Sequence, residues 1–347
     1  MRQRGNFDLG IILTVILFGI LIFIHEFGHF ITAKLSGVKV NEFALGMGPV
    51  IWKTRKKDTQ YALRLLPIGG FVSMEGEDEQ SDQEGSFTKA RIWNRILIIV
   101  AGAAMNLLLG FLLLIVVVSQ QPAIGTTSIA RFEEGATSSQ LLQVDDKILK
   151  INGSSVHIDY DIIYTMMRDS DGAVDMLVLR DGQKIELNGV PFATAEMEDK
   201  TVVTTLDFKV YGREKTVGGV LRQAFFYTGT VAKLVWTSLI DIVTGRFGLN
   251  QLSGPVGVAS AVGEASSMGL SSFLMLAAFI TINLGVFNLL PIPALDGGRL
   301  LFLLIEAVRG KPVSPKYEGY VHALGFVVLF GLMIFVTFND IVRLFRG

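Results

Sequence analysis

Long uncharged apolar segments divide this chain into alternating apolar and polar regions. Residues 9–24, 96–118, 265–295 and 323–339 contain 16, 23, 31 and 17 residues without a charge. A helix needs about 20 residues to cross the hydrocarbon core of a bilayer, and soluble proteins rarely contain apolar strings of this length. The pattern predicts four transmembrane helices, near residues 9–31, 95–118, 273–308 and 320–339, with the third interrupted around Pro291 and Pro293.

A fifth apolar segment, residues 221–245, has helical spacing of its large apolar side chains but carries Lys233 and Asp241. A lysine at the centre of a spanning helix costs about 2.5–3.5 kcal/mol. We therefore predict an amphipathic helix on the membrane surface rather than a fifth span. The first helix has no small-residue cleavage site before His25, so we interpret it as a retained helix and not as a signal peptide.

A polar region between these segments has a different periodicity. Residues 123–210 show short alternating strands, a helix-like segment and turn pairs such as Asn152-Gly153 and Asp181-Gly182. This pattern predicts an α+β domain inserted into a polytopic α-helical membrane protein. The predicted organisation is two transmembrane helices with an intervening β loop in 1–118, the insert in 119–205, a linker with the surface helix in 206–268, and two further transmembrane helices in 269–347.

The composition agrees with a membrane protein and excludes several other classes. Hydrophobic residues make up 50% and charged residues 18% of the 347 residues, whereas about 25% charge is usual in soluble domains. The net charge of -1 gives no reason to expect a nucleic-acid partner. The absence of cysteine excludes disulfides, a cysteine nucleophile and a thiolate zinc site.

The basic residues also predict an orientation in the membrane. Residues 34–95 hold ten lysines and arginines and 309–316 hold three, whereas the two termini together hold four. The positive-inside rule therefore places these two loops in the cytoplasm, and the insert and both termini outside.

The pentapeptide His25-Glu26-Phe27-Gly28-His29 is the most informative motif. On a helix, His25 and His29 are four residues apart and share one face, so their imidazoles can bind one zinc ion while Glu26 takes a proton from the attacking water. Ionisable groups at bilayer depth are costly and are usually functional. The alternative is a polar cluster that only helps helices to pack.

A catalytic zinc site usually has three protein ligands, and without cysteine the third must be His, Asp or Glu. Asp296 is the best candidate because it ends the longest apolar segment, where an unpaired carboxylate would be expensive. The alternative is a carboxylate that caps the following helix, which is compatible with a ligand role. The weaker candidates are His157 in the insert, His322 at the start of the last helix, Glu264 and Glu306.

Several sequence motifs together resemble the site-2 protease family of intramembrane zinc proteases, in particular the regulator of sigma-E protease type. The matching segments are HEFGH at 25–29, GMGP at 46–49, LPIGGFVSMEGE at 66–77, LSGPVGVA at 252–259 and NLGVFNLLPIPALDGGRLLFLLIE at 283–306. Residues 143–156 resemble part of a PDZ domain of the bacterial-protease type, with Asp145 where glycine is usual.

The resemblance implies a role for each matching residue. His25, His29 and Asp296 would bind Zn²⁺, and Glu26 would be the general base. Asn288, and less strongly Asn283, would hold the substrate backbone or the oxyanion. Gly46 and Gly48 would lie in a re-entrant β-hairpin that pairs with the unwound substrate. The resemblance does not assign a role to Asn106.

The resemblance also implies a cellular setting. The chain would be a multi-pass protein of the bacterial cytoplasmic (inner) membrane, with an extracytoplasmic PDZ-like domain and an active site near the cytoplasmic face. Its substrates would be single-pass transmembrane proteins such as anti-sigma factors or signal-peptide remnants, and the PDZ-like domain would take a peptide ligand.

Two other functions fit parts of the sequence. An inactive membrane scaffold that binds peptides through the PDZ-like domain would show no metal dependence. A small transporter would use its intramembrane His, Glu and Asp residues to move ions, but that function explains neither the His-Glu-x-x-His spacing nor the inserted domain.

Overall fold

The computed structural model describes residues 2–77, 81–197, 202–245 and 252–346. The chain forms two compact units, one from Met1–Leu113 with Val235–Gly347 and one from Leu114–Leu234. We call them the membrane unit and the insert unit. Eight helices occur in the described residues: α1 Arg2–Leu35, α2 Ile92–Gln120, α3 Asp159–Met167, α4 Val217–Val243, α5 Pro255–Met268, α6 Leu270–Asn288, α7 Asp296–Arg309 and α8 Pro315–Arg346.

Four of the described helices are long and apolar enough to cross a membrane: Gly10–Leu35, Ile92–Gln120, Leu270–Asn288 and Lys316–Arg343. The prediction of four spans is therefore confirmed, and so is the predicted interruption of the third segment, 273–308, around Pro291 and Pro293. The chain leaves helical geometry after Asn288 and resumes it at Asp296, because Pro291 and Pro293 cannot donate the backbone hydrogen bonds that a continuous helix needs. The third span is α6 alone, and α7 is a separate helix of 14 residues.

A small sheet follows α1 and consists of two long strands, β1 (Val40–Lys56) and β2 (Thr59–Met74). Each strand folds back on itself, so that Phe43 is paired with both Val72 and Tyr61. The fold in β1 occurs at Gly46 and Gly48, which have φ angles of +86° and +83°. A side chain would be strained at these angles, which explains the glycines of the GMGP motif.

The sheet and the neighbouring helices pack closely against the second half of α1. The ring of Phe30 in α1 packs against the ring of Phe43 with a centroid distance of 4.9 Å. Gly28 lets α2 approach, since a Cβ atom at this position would lie 2.4 Å from the Ala101 carbonyl oxygen. Gly28, the fourth residue of the HEFGH motif, is therefore required for the contact between α1 and α2.

The insert unit contains the remaining strands and the short helix α3. Its strands are β3 Ile124–Phe132, β4 Lys147–Ile151, β5 Ser154–Ser155, β6 Ala173–Arg180, β7 Gln183–Pro191, β8 Thr194–Glu196, β9 Val202–Thr204 and β10 Phe208–Arg213. The main sheet has the order β10-β3-β4-β6-β7, with β5 paired to β4. A continuous apolar core that includes Ile129, Ile148, Ile162, Val178 and Phe208 lies against this sheet.

Helix α4 begins in the insert unit and covers α3 there. The rings of Tyr227 and Tyr160 stack at 3.9 Å, and Gln223 Nε2 donates a hydrogen bond of 2.6 Å to Asp159 Oδ1. Burial in this contact raises the pKa of the Asp159 carboxyl group. The helix predicted for 221–245 thus exists, and it is not among the candidate membrane spans of the described residues.

Candidate metal centre

His25 and His29 lie one turn apart on α1, and their Nε2 atoms are 3.2 Å from each other. Asp296, the first residue of α7, places its Oδ2 atom 3.1 Å from His25 Nε2 and 3.3 Å from His29 Nε2. His29 is buried and the other two residues are half-buried. The structure therefore brings together the three side chains that the sequence nominated from two distant segments.

The hydrogen bond of His29 determines which of its nitrogen atoms is free. His29 Nδ1 lies 2.8 Å from the Ile98 carbonyl oxygen, so Nδ1 carries the proton of the neutral ring and Nε2 presents a lone pair to Asp296. Donor atoms bound at 2.0–2.2 Å to a tetrahedral zinc ion lie about 3.3–3.6 Å apart. The three observed separations are close to this range, and two nitrogen atoms with one carboxylate oxygen are an established catalytic zinc ligand set.

The loop before Asp296 is held by α8. His322 Nδ1 accepts a hydrogen bond of 2.9 Å from the backbone N–H of Ala294, a non-glycine residue with a φ angle of +75°. Gly325 allows Pro293 to pack closely, because a Cβ atom there would be 2.4 Å from Pro293 Cβ. Leu295, not Asp296, caps the helix. The Asp296 side chain is therefore not the N-cap and faces the two histidines.

Helix α2 forms another wall of the centre. A Cβ atom on Gly102 would lie 2.3 Å from His29 Nε2 and 2.9 Å from His25 Cε1, so only glycine leaves room for the two imidazoles. Asn106, one turn further along, is buried, and its Nδ2 atom lies 3.3 Å from His25 Nδ1. Sequence reasoning missed the roles of Gly102 and Asn106, since neither position carries a recognisable metal-binding spacing.

Glu26 adjoins the centre from the side of the β sheet. A Cβ atom on Gly70 would be 3.3 Å from Glu26 Cγ, and the Val72 backbone lies close to the Glu26 carboxylate. Gly70 and Val72 belong to the last segment of β2, which pairs with Val40–Leu45 of β1. A Cβ atom on Gly46, by contrast, would meet the carbonyl oxygens of Leu66 and Arg64, so Gly46 does not lie beside Glu26 in the way that Gly70 does.

The remaining predicted residues lie outside the cluster of three ligand atoms. Asn283 and Asn288 are half-buried on α6, and no hydrogen bond among the described residues joins either one to His25, His29 or Asp296. Glu306 pairs with Arg95 through two hydrogen bonds, one of 3.1 Å. The weaker ligand candidates are likewise elsewhere: Glu264 is exposed on α5 and His157 stacks on Phe226 in the insert unit.

Comparison with known proteins adds independent evidence. A model of peptidase family M50 matches residues 13–332. A protein of Clostridium acetobutylicum is 35% identical over 333 residues, which cover 96% of this chain and 97% of that protein.

Two relatives carry more specific names. The zinc metalloprotease RasP of Bacillus licheniformis is 33% identical over 425 positions, and the regulator of sigma-W protease RasP of Bacillus subtilis is 32% identical over 423 positions. Each alignment covers 96% of this chain and 99% of the relative. Because both alignments are longer than the 347 residues of this chain, the two RasP proteins contain residues that it lacks.

Proposed function

We propose that this chain, which belongs to peptidase family M50 and is a zinc-dependent intramembrane protease of the site-2 type, binds its zinc through His25, His29 and Asp296. The convergence of their Nε2 and Oδ2 atoms within 3.3 Å is the observation that carries the proposal. Two imidazole nitrogens and a carboxylate oxygen face one point, and a cation bound there would interact favourably with the lone pairs of all three. The rival scaffold function leaves this arrangement unexplained.

We assign the proton transfers to Glu26. Zinc, when bound, supplies Lewis-acid activation of water and of the scissile carbonyl. The Glu26 carboxylate takes the proton from the attacking water and then gives it to the leaving amine nitrogen. The Val72 backbone and the sheet at Gly70 adjoin this carboxylate.

The substrate backbone would bind along the β2 segment that contains Gly70 and Val72. A transmembrane helix has its amide groups internally bonded and must unwind before attack, so a strand edge supplies replacement partners. Gly46 and Gly48 would contribute indirectly, through the fold in β1 that shapes the re-entrant hairpin. Asn288 and Asn283 would hold the substrate backbone or the oxyanion from α6.

The multi-pass bacterial membrane protein would have both termini and the PDZ-like insert outside, with the metal centre near the cytoplasmic face. The excess of lysine and arginine in 34–95 and 309–316 supports this orientation. Its substrates would be single-pass membrane proteins, such as anti-sigma factors or signal-peptide remnants, and a peptide would bind the insert.

Cleavage of a defined substrate tests the proposed function. The purified full chain is reconstituted in vesicles with a single-pass model protein, and the products are mapped by mass spectrometry. We expect a cut within the apolar segment of the substrate, complete inhibition by a zinc chelator, and recovery when zinc is restored. A cut confined to the soluble part of the substrate, or cleavage that survives removal of zinc, would refute the proposal.

Asn106 has a testable role in zinc binding. With zinc on Nε2, His25 carries its proton on Nδ1 and requires an acceptor. The Asn106 Oδ1 atom is buried and lacks a hydrogen-bond partner, so rotating the amide by half a turn makes it that acceptor. Asn106→Leu should weaken zinc binding by about 10–100-fold, the usual effect of losing an outer hydrogen bond of a metal ligand.

Isothermal competition with a zinc chelator measures this change without reference to activity. Asn106→Asp is the matched control, because a carboxylate oxygen still accepts a hydrogen bond from His25 Nδ1 and zinc binding should be retained. Equal zinc affinity of the wild type and Asn106→Leu would remove Asn106 from the account.

A further inference from the structure

The turn between β1 and β2 carries a dense group of unpaired positive charges. We call Lys53, Arg55, Lys56 and Lys57 the basic tip. All residues from 51 to 58 are exposed, and Asp58 is the only acidic residue among them. No ion pair within the described parts of the chain involves the basic tip. Within the described residues, no carboxylate therefore pairs with these charges.

The pairing of the strands places the basic tip at the level where α1 ends. Thr59, which follows the turn, donates a hydrogen bond of 2.8 Å from Oγ1 to the Val40 carbonyl oxygen, and Val40 follows closely after the end of α1 at Leu35. At the other end of the sheet, Leu45 and Leu63 line a cavity with Val15–Phe23 of α1. The sheet thus runs along α1 from the middle of this span to its end.

Exposed apolar side chains lie immediately before the basic tip in β1. Ile51 and Trp52 are 60% and 57% exposed, and Val50 is 41% exposed. Tryptophan is enriched where acyl chains meet headgroups, and lysine and arginine beside such a position attract acidic lipid headgroups. The order of apolar, aromatic and basic residues along β1 matches the order of acyl chain, interface and headgroup in a leaflet.

We propose that the basic tip binds the headgroups of anionic phospholipids in the leaflet that surrounds the C-terminal end of α1. The charge of the tip is complementary to these headgroups, and its position relative to α1 puts it at their depth. This binding would anchor the end of the sheet at the β1–β2 turn, and another segment of the same sheet, at Gly70, lies beside Glu26. The proposal does not depend on which residues bind zinc.

Fluorescence of Trp52 provides a direct test. The chain has three tryptophans, so Trp93→Phe combined with Trp236→Phe leaves Trp52 as the only one. The full chain is reconstituted in phosphatidylcholine vesicles that contain equal fractions of either brominated phosphatidylglycerol or brominated phosphatidylcholine. We expect quenching of Trp52 by the anionic lipid to be at least about threefold stronger, and this excess should fall at high salt because screening weakens the attraction.

The decisive variant changes all four residues of the basic tip to glutamine. In this variant, both brominated lipids should quench Trp52 fluorescence to the same extent. Its exposed positions make folding insensitive to the change, and retained zinc content confirms that it is folded. The matched control neutralises four exposed lysines of the insert unit, Lys147, Lys150, Lys184 and Lys209, and should keep the excess. The proposal would be overturned if both lipids quenched Trp52 equally in the protein with an unaltered basic tip. It would also be overturned if the stronger quenching by the anionic lipid persisted in the glutamine variant.

Discussion

Glu26→Gln retains zinc and loses cleavage by at least about 100-fold, the range expected when a general acid–base group is removed. Glutamine keeps the size of the side chain and can still contact Val72, but its amide cannot take a proton from water. The Glu26 carboxylate is not one of the three converging ligand atoms, so the zinc content should stay at about one ion per chain. Elemental analysis and cleavage of the single-pass substrate on the same sample measure both quantities.

Glu264→Gln is the matched control for this experiment. Glu264 is exposed on α5, and the same change there should leave zinc and cleavage unaltered. Cleavage at the wild-type rate by Glu26→Gln would show that another group moves the proton.

Asp296→Asn has the second large effect, and it acts on zinc rather than on the proton. The amide is neutral and is a poorer ligand than the carboxylate that lies 3.1 Å and 3.3 Å from the two histidines. Loss of a hydrogen bond to a metal ligand weakens metal binding by about 10–100-fold. Because Asp296 would bind zinc directly, zinc affinity should fall at least about tenfold. Cleavage should fall with zinc occupancy and recover in part when excess zinc is added, a rescue that Glu26→Gln should not show.

Asp82→Asn is the corresponding control. Asp82 is fully exposed in the loop after β2, so its variant should bind zinc as the wild type does. An Asp296→Asn protein that holds zinc as tightly as the wild type would exclude Asp296 as a ligand.

Sequence reasoning found the site residues that have a characteristic spacing or that would be unstable in an apolar segment without a partner. His25 and His29 are related by one helical turn, which spacing alone reveals. Asp296 was identified because a carboxylate beside a long apolar segment needs a partner. The structure brings these three side chains together.

The parts that sequence reasoning missed depend on contacts between distant segments. Gly102 matters only because α2 crosses α1 at the two imidazoles. His322 matters because α8 passes the loop at Ala294, whereas the sequence indicates it only as a weaker candidate for a metal ligand. The family resemblance assigns the pairing with the substrate to the hairpin that contains GMGP, whereas the fold of the sheet brings Gly70 close to Glu26.

The bounds of the helices likewise depend partly on local sequence signals and partly on packing between distant segments. Pro291 and Pro293 predict the interruption of the third apolar segment, whereas its composition does not show that the helix already ends at Asn288. Helix α5, Pro255–Met268, was not predicted. It has many small residues and packs against α1, where Gly10 allows Ala259 to approach closely, and such packing leaves little periodic signal in the sequence.

The position of the zinc ion in the active protein tests the central claim most directly. Anomalous X-ray diffraction at the zinc absorption edge, from crystals of protein that cleaves the single-pass substrate, locates the ion without reference to any variant. We predict one peak about 2.0–2.2 Å from His25 Nε2, His29 Nε2 and an Asp296 carboxylate oxygen. A peak elsewhere in the active protein, with no ion between these three side chains, would contradict the account.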